Sequence, residues 1–108
     1  FNGARGGSAS LLQVSSGFTY SYTLRAPAGR HVDPDSMRLD GRVIAPTDQI
    51  RVAANNFLIE GGDGFTVFRE GTNQLGGDVD VDALVAYFLR RSPVQAGPLN
   101  RIVRMPGS

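Results

Sequence analysis

The sequence of 108 residues contains no cysteine, no tryptophan and no lysine, and it has a single histidine. Without cysteine the chain has no disulfide, no thiolate nucleophile and no cysteine-ligated metal site. It has neither a G-x-S-x-G nucleophile motif nor a G-x-x-x-x-G-K-S/T phosphate-binding loop. No apolar run approaches the roughly 20 residues that cross a bilayer. We therefore expect no catalytic machinery within the chain and no membrane span.

The composition is typical of a small globular domain. Hydrophobic residues make up 41% of the sequence and charged residues 19%, and the net charge is +1. This apolar content argues against a disordered chain, and the near-zero charge argues against a nucleic-acid-binding surface. We therefore predict one domain over residues 1–108, with no nucleic-acid partner.

Alternating side chains predict strands in the first half of the chain. Residues 1–10 are rich in glycine and serine and lack periodicity, so we interpret them as a flexible leading loop. Over residues 18–24, aromatic and apolar side chains alternate with hydroxyl side chains, which is typical of a half-buried strand. Asp40 and Gly41 separate two short apolar runs and predict a β-hairpin, because both residues tolerate positive φ.

The second half of the chain combines further strands with a helix. Residues 50–54 alternate in polarity and predict a strand that leads to Phe57. An amphipathic helix follows, with Asp80 expected as its N-cap and Ser92 at its end. Its apolar residues recur at helical spacing and are Val81, Leu84, Val85, Phe88 and Leu89. Residues 101–103 predict a last short strand. This order predicts an α+β fold with a mixed, largely antiparallel sheet, a β-hairpin and one C-terminal amphipathic helix.

The most informative segment is residues 55–65, with the sequence NNFLIEGGDGF. It holds two phenylalanines, Phe57 and Phe65, three glycines, and the carboxylate of Asp63 between two of those glycines. Glycine is used where the backbone takes positive φ or where another group comes close. The glycines leave the Asp63 carboxylate accessible, and Phe57 can present a flat apolar face. A stacking ring and an accepting carboxylate are the minimum for holding a nucleoside, with the base on the ring and the ribose hydroxyls on the carboxylate.

Each of these residues also has a structural interpretation. Phe57 can be a core residue that anchors the strand end, and Asp63 can stabilise its own turn.

The aspartates within residues 78–82 begin like a calcium-binding loop, but the glycine and the bidentate glutamate of that loop are missing. Carboxylates at the start of a helix are explained by capping. His31 lacks the partners that a metal or catalytic site needs.

Segment 55–65 resembles a motif of the C-terminal domain of the 5'-nucleotidase family, N-F-L-x-x-G-G-D-G-F/Y. This family includes UDP-sugar hydrolases and 2',3'-cyclic-nucleotide phosphodiesterases. Residues 11–22, LLQVSSGFTYSY, are similar to a strand of the same domain. Residues 78–88 and 100–104 are similar to its closing helix and its basic terminal strand. The resemblance covers essentially the whole chain, and the glycine loop is its most specific part.

The resemblance implies that Phe57 stacks on the nucleobase and that Asp63 accepts hydrogen bonds from the ribose. We add Gly62 and Asn55 to the substrate-binding set, assign Phe65 to the core, and assign no catalytic residue. On this interpretation the chain is the nucleoside-binding part of a metal-dependent phosphoester hydrolase and holds no cofactor itself. Two divalent metal ions in a separate N-terminal metallophosphoesterase domain would activate water against the phosphorus.

The resemblance also implies a periplasmic or cell-surface location and a chain that begins inside the family's domain. The part before Phe1 would carry the second stacking aromatic, so we expect the chain alone to bind adenosine weakly or not at all. Apolar surface exposed by such a truncation predicts self-association. Two other functions stay open. One is a non-catalytic extracellular module for a different small ligand, and the other is a structural or adhesive module in which the loop only shapes a turn.

Overall fold

The structure is a computed structural model that describes residues 2–5 and 8–107. Contacts between Cα atoms divide the chain into two compact units. The first, here called the sheet unit, comprises residues 1–51 and 99–108, and the second, here called the loop unit, comprises residues 52–98. The predicted organisation as one domain is not tested by this division and stays a prediction.

The sheet unit begins with two short strands where the sequence predicts a loop. β1 (Asn2–Arg5) and β2 (Ser8–Ser10) pair antiparallel. The loop predicted over residues 1–10 is therefore wrong for these positions, and residues 1, 6 and 7 lie outside the described part. Backbone hydrogen bonds make this pairing, and a segment rich in glycine and serine has no apolar alternation to indicate it.

The main sheet of the sheet unit has four strands. They are β3 (Phe18–Tyr22), β4 (Arg38–Leu39), β5 (Arg42–Val43) and β6 (Ile102–Arg104). Their spatial order is β5-β4-β3-β6, with antiparallel pairing throughout except for β6, which lies parallel to β3. Together with the helices below, this sheet confirms the predicted α+β fold. The predicted final strand is confirmed within one residue.

β3 is central in this sheet and contains its buried side chain. Tyr20 is only 7% exposed, and its ring centroid lies 5.9 Å from that of Phe18. On the β6 side, the Tyr20 N–H donates to Arg101 O (3.0 Å), and the Met105 N–H donates to Tyr22 O (2.8 Å). Burial raises the pKa of the Tyr20 phenol because the phenolate would lose hydration, and repulsion from Tyr22 adds to this effect.

The predicted hairpin at Asp40 and Gly41 is confirmed. β4 and β5 pair with Leu39 opposite Arg42, and the two residues between them have φ of 51° and 82°. Positive φ at both central positions defines a type I′ turn, whose twist matches that of the flanking strands. The Asp40 N–H also donates to Gly17 O (2.8 Å). This bond ties the hairpin to the segment that precedes β3.

The strand predicted at the start of the loop unit is absent, and the first elements there are helical turns further along the chain. α1 (Asn56–Ile59) is followed by 3₁₀ helices at Gly62–Gly64 and Thr66–Glu70. The strand predicted over residues 50–54 is wrong, because these exposed residues pair with no other strand in the described part of the chain. A strand needs partners for its backbone N–H and C=O groups, and alternation of side chains does not supply them.

α2 (Asp80–Arg91) confirms the predicted amphipathic helix. It ends where predicted, with Ser92 as the C-cap residue. Its N-cap is Val79, so the prediction of Asp80 as N-cap is wrong by one position. Asp80 is instead the first helical residue, and its carboxylate accepts a hydrogen bond from the Val81 N–H (2.8 Å). Its negative charge still lies at the end of the helix where the macrodipole favours it.

The apolar side chains of α2 are solvent-exposed. The five that follow helical spacing are between 45% and 83% exposed: Val81, Leu84, Val85, Phe88 and Leu89. The self-association that we predict from exposed apolar surface stays a prediction. Among the described residues, no helix combines the length and the apolar character that crossing a membrane requires.

Replacing Gly41 tests the hairpin turn. A Cβ at this position meets no neighbouring atom, so the expected effect comes from backbone strain at φ 82° alone. We expect Gly41→Ala to lower the free energy of unfolding by about 1–2 kcal/mol, and Gly41→Asn to lower it by less, because asparagine tolerates the left-handed region. Urea unfolding followed by circular dichroism measures both changes.

The control is Gly97→Ala, because Gly97 has open space around its Cβ position and no left-handed φ. We expect this substitution to leave stability nearly unchanged or to raise it slightly. Equal losses for the alanine variants at positions 41 and 97 would contradict the strain assigned to the turn.

Candidate functional site

The segment with the candidate ligand-binding residues begins at Asn55, which caps α1. Its backbone is extended (φ −71°, ψ 161°), and its Oδ1 accepts a hydrogen bond from the Leu58 N–H at 2.9 Å. Asparagine is among the preferred N-cap residues because its side chain satisfies an otherwise unpaired N–H of the first turn. Asn55 therefore has a structural contact that accounts for its position. Its predicted contact with substrate stays a prediction.

Phe57 lies in the first turn of α1 and not at the end of a strand. Its side chain is 52% exposed, so the interpretation of Phe57 as a sealed core residue is wrong. One edge of the ring lies against Gly62. A Cβ built on Gly62 would lie 2.6 Å from Phe57 Cε1 and Cζ and also 2.6 Å from the Phe57 carbonyl oxygen. The ring is thus supported from one side by a residue without a side chain and is accessible to solvent elsewhere.

Asp63 has a left-handed backbone conformation, and so do Gly61, two residues before it, and Gly64, directly after it. Its φ is 54°, while Gly61 has φ 87° and Gly64 has φ 76°. Aspartate visits this region more readily than most residues, but at an energetic disadvantage relative to glycine. Asp63 is exposed and directly follows Gly62, which contacts the Phe57 ring. The loop therefore brings the aromatic ring against the residue that precedes the acidic one, although Phe57 and Asp63 are six positions apart in sequence.

Phe65 anchors this loop. It is 7% exposed, which confirms its predicted place in the core. Its N–H donates to Gly62 O (3.1 Å), and its carbonyl accepts from the Phe68 N–H (3.4 Å). One buried ring and two turn-closing hydrogen bonds thus hold the C-terminal side of the loop. The N-cap at Asn55 holds the other side.

Arg69 is a neighbour of the loop that the sequence does not reveal. Its Nε donates to the carbonyl oxygen of Glu60 at 2.8 Å. The guanidinium group lies where a side chain of Gly61 would stand, with Nε 2.6 Å and Cζ 3.1 Å from the position of a Cβ. The glycine at position 61 was a signal that some group comes close. The sequence could not show that this group comes from eight residues further along.

The other polar candidates form no second site. In residues 2–5 and 8–107, no group of three or more histidine, aspartate or glutamate side chains is placed to hold a metal ion. His31 lies in the sheet unit, with its Nδ1 3.0 Å from Thr23 O, and the Thr23 N–H donates to His31 O (2.8 Å). These bonds join two backbone segments next to β3, which is a structural role.

Comparison with known proteins identifies one family. The family model described as "5'-nucleotidase, C-terminal domain" matches residues 2–70. This range is well over half of the chain and includes all of segment 55–65. No curated protein and no solved structure gives a match. The matched range ends with the 3₁₀ helix Thr66–Glu70, so the resemblance of α2 and β6 to the same domain stays a prediction.

Replacing Gly62 tests the support of the Phe57 ring. A methyl group at this position would overlap the ring and the carbonyl oxygen of Phe57, both 2.6 Å away. We expect Gly62→Ala to destabilise the loop unit by about 1–3 kcal/mol, the usual effect of overpacking. Hydrogen–deuterium exchange of residues 55–65 should become faster. Gly76→Ala is the matched control, since a Cβ there meets nothing. Unchanged exchange in Gly62→Ala would show that the ring does not rest on Gly62.

Replacing Asn55 separates capping from ligand binding. Asn55→Ala removes the acceptor of the Leu58 N–H, and we expect it to cost about 0.5–2 kcal/mol of stability. Asn55→Asp keeps an acceptor oxygen and should retain most of that stability. Thermal unfolding measures both variants. If capping is the only role of Asn55, Asn55→Asp should bind nucleosides like the wild type. If Asn55→Asp keeps its stability but loses nucleoside binding, the side chain has a second role at the ligand.

Proposed function

Because the chain belongs to the family of the 5'-nucleotidase C-terminal domain, we propose that it is the substrate-binding part of a hydrolase and holds the nucleoside of a nucleotide. The observation that carries this proposal is the arrangement around Gly62. A half-exposed aromatic ring rests on this glycine, and an exposed aspartate follows it directly. The alternatives of a different small ligand or a purely structural loop become outcomes of the test below.

Phe57 provides the face on which the base stacks. Stacking of a base on an aromatic side chain contributes roughly 1–3 kcal/mol and does not depend on which base is present. A ring that is 52% exposed has the free surface that stacking needs. The contact with Gly62 limits the ring's freedom before the ligand arrives, and this reduces the entropy lost on binding.

Asp63 provides the acceptor for the ribose hydroxyls. Hydrogen bonds to a charged group contribute about 1.5–3 kcal/mol each, which is more than bonds between neutral groups. The left-handed backbone at Asp63 supports this assignment, because conformations of this kind concentrate at ligand-binding positions. The flanking glycines have no side chains that would obstruct a sugar.

In this proposal the chain positions the nucleoside, and a separate domain performs the chemistry. The family suggests an N-terminal catalytic domain as partner. There, two divalent metal ions would polarise the phosphate and activate water. The residues of this chain would fix the nucleoside so that the phosphate reaches those metals, which is a gain in proximity and orientation. A periplasmic or cell-surface location is part of the proposal and is supported by family likeness alone.

Two ligands separate the roles of Phe57 and Asp63. Adenosine offers a base and ribose hydroxyls, whereas 2',3'-dideoxyadenosine offers the base without those hydroxyls. We expect Phe57→Ala to weaken both ligands by about 5- to 150-fold, since both lose stacking. Asp63→Asn should weaken adenosine by about 10-fold or more and leave the dideoxy analogue nearly unchanged. Isothermal titration calorimetry on the full-length protein measures both ligands with the wild type and with each variant.

Matched controls lie on α2 and just before it. Phe88→Ala removes a ring of similar exposure, 45%, and Asp78→Asn neutralises an exposed carboxylate. Neither should change the affinity for adenosine. A nucleoside that binds without any effect from Phe57 or Asp63 would place the site elsewhere. A wild-type protein that binds no nucleoside would favour the module for a different small ligand or the structural module.

A further inference from the structure

We propose that Arg69 is a positioning residue of the nucleoside site and that it acts through the Nε–H of its guanidinium. This inference rests on the proposed function, because the loop that Arg69 holds is the one that carries Phe57 and Asp63. Arg69 lies in the 3₁₀ helix Thr66–Glu70, on the C-terminal side of that loop. Its hydrogen bond to Glu60 joins this C-terminal side of the loop to the N-terminal side, because Glu60 precedes the glycines and Arg69 follows them.

The bond satisfies a carbonyl at the end of α1. Carbonyl groups in the last turn of a helix have no partner within it and need one from outside. Glu60 is the C-cap residue of α1, and its oxygen accepts the Arg69 Nε–H at 2.8 Å. A planar guanidinium is well suited to this task because its N–H groups point in fixed directions.

The second observation concerns space. Gly61 has φ 87°, and the guanidinium lies over it with Cζ 3.1 Å and Nη2 3.2 Å from the place of a Cβ. A side chain at position 61 would be strained by the backbone conformation, and the Arg69 guanidinium would have to move to admit it. The next residue, Gly62, excludes one because the Phe57 ring occupies the space.

The two glycines that make these contacts are consecutive in sequence, and Asp63 directly follows them. Arg69 covers Gly61, the Phe57 ring covers Gly62, and Asp63 is the next residue in the chain. A movement of Arg69 away from Gly61 would free the peptide that sets the relative position of ring and carboxylate. Arg69 would thereby affect ligand binding without touching the ligand.

Three substitutions distinguish a positioning bond from a charge that contacts the substrate. Arg69→Gln places a neutral N–H donor the same number of bonds from Cα as Nε. Arg69→Met has a similar length but no donor. Arg69→Lys keeps the charge, but its nitrogen lies one bond further out. Arg90→Met on α2 controls for the loss of one exposed positive charge.

The full-length enzyme is assayed for hydrolysis of adenosine 5'-monophosphate. We expect Arg69→Met to raise KM about 2- to 10-fold, the usual effect of losing one hydrogen bond, with kcat changed less than twofold. Arg69→Gln should restore a KM close to that of the wild type. If Arg69→Gln is as impaired as Arg69→Met while Arg69→Lys is normal, the charge acts on the substrate and the proposal is overturned. Normal KM in all three variants would overturn it as well.

A measurement without ligand keeps this inference separate from the proposed function. Hydrogen–deuterium exchange of residues 55–65 is recorded on the same full-length variants. Exchange should be faster in Arg69→Met and like the wild type in Arg69→Gln, with unchanged melting temperatures. Equal exchange in Arg69→Met and the wild type would refute the positioning role. Altered exchange in a protein that binds no nucleoside would refute the proposed function and leave the role of Arg69 in the loop intact.

Discussion

The candidate site depends on the contact between the Phe57 ring and Gly62. The ring and the carbonyl oxygen of Phe57 both lie 2.6 Å from the place of a Cβ at position 62, so a residue larger than glycine would force them to shift. The contact holds an aromatic face at the surface and fixes it relative to the next residue, Asp63. Without it, a ring on the first turn of a four-residue helix would have free rotamers and no defined relation to the carboxylate.

The loop is built from short-range contacts. Asn55 caps α1, Phe65 closes the following turn, and Arg69 reaches back to Glu60. All of these partners lie within fifteen residues of one another in sequence. A site assembled in this way needs little from the rest of the domain to form, and it presents its ring and carboxylate at the surface. Such an arrangement suits a binding loop that delivers a ligand to chemistry performed elsewhere.

Several elements could be predicted because their signals are local. The turn at Asp40 and Gly41 follows from two residues that accept positive φ, and α2 follows from a long apolar repeat with a polar start and a proline after its end. The glycine loop was identified as the candidate site from residue types alone. The predictions for residues 2–5, 8–10 and 50–54 were wrong because strand pairing depends on a partner, and side-chain alternation says nothing about where that partner is.

Residue types and their spacing were enough to indicate the family, the α+β composition, the hairpin turn, the long helix and the residues of the candidate site. The tertiary structure was needed to show that Phe57 lies in the first turn of a short helix, that Asn55 caps this helix, and that Arg69 covers Gly61. It also decided that the apolar side chains of α2 are exposed, although their spacing is that of a helix with one covered face. The physical reason is that turns and helices follow from interactions between near neighbours. Which atoms fill the space beside a glycine, and which face of a helix is covered, depends on groups brought together by folding.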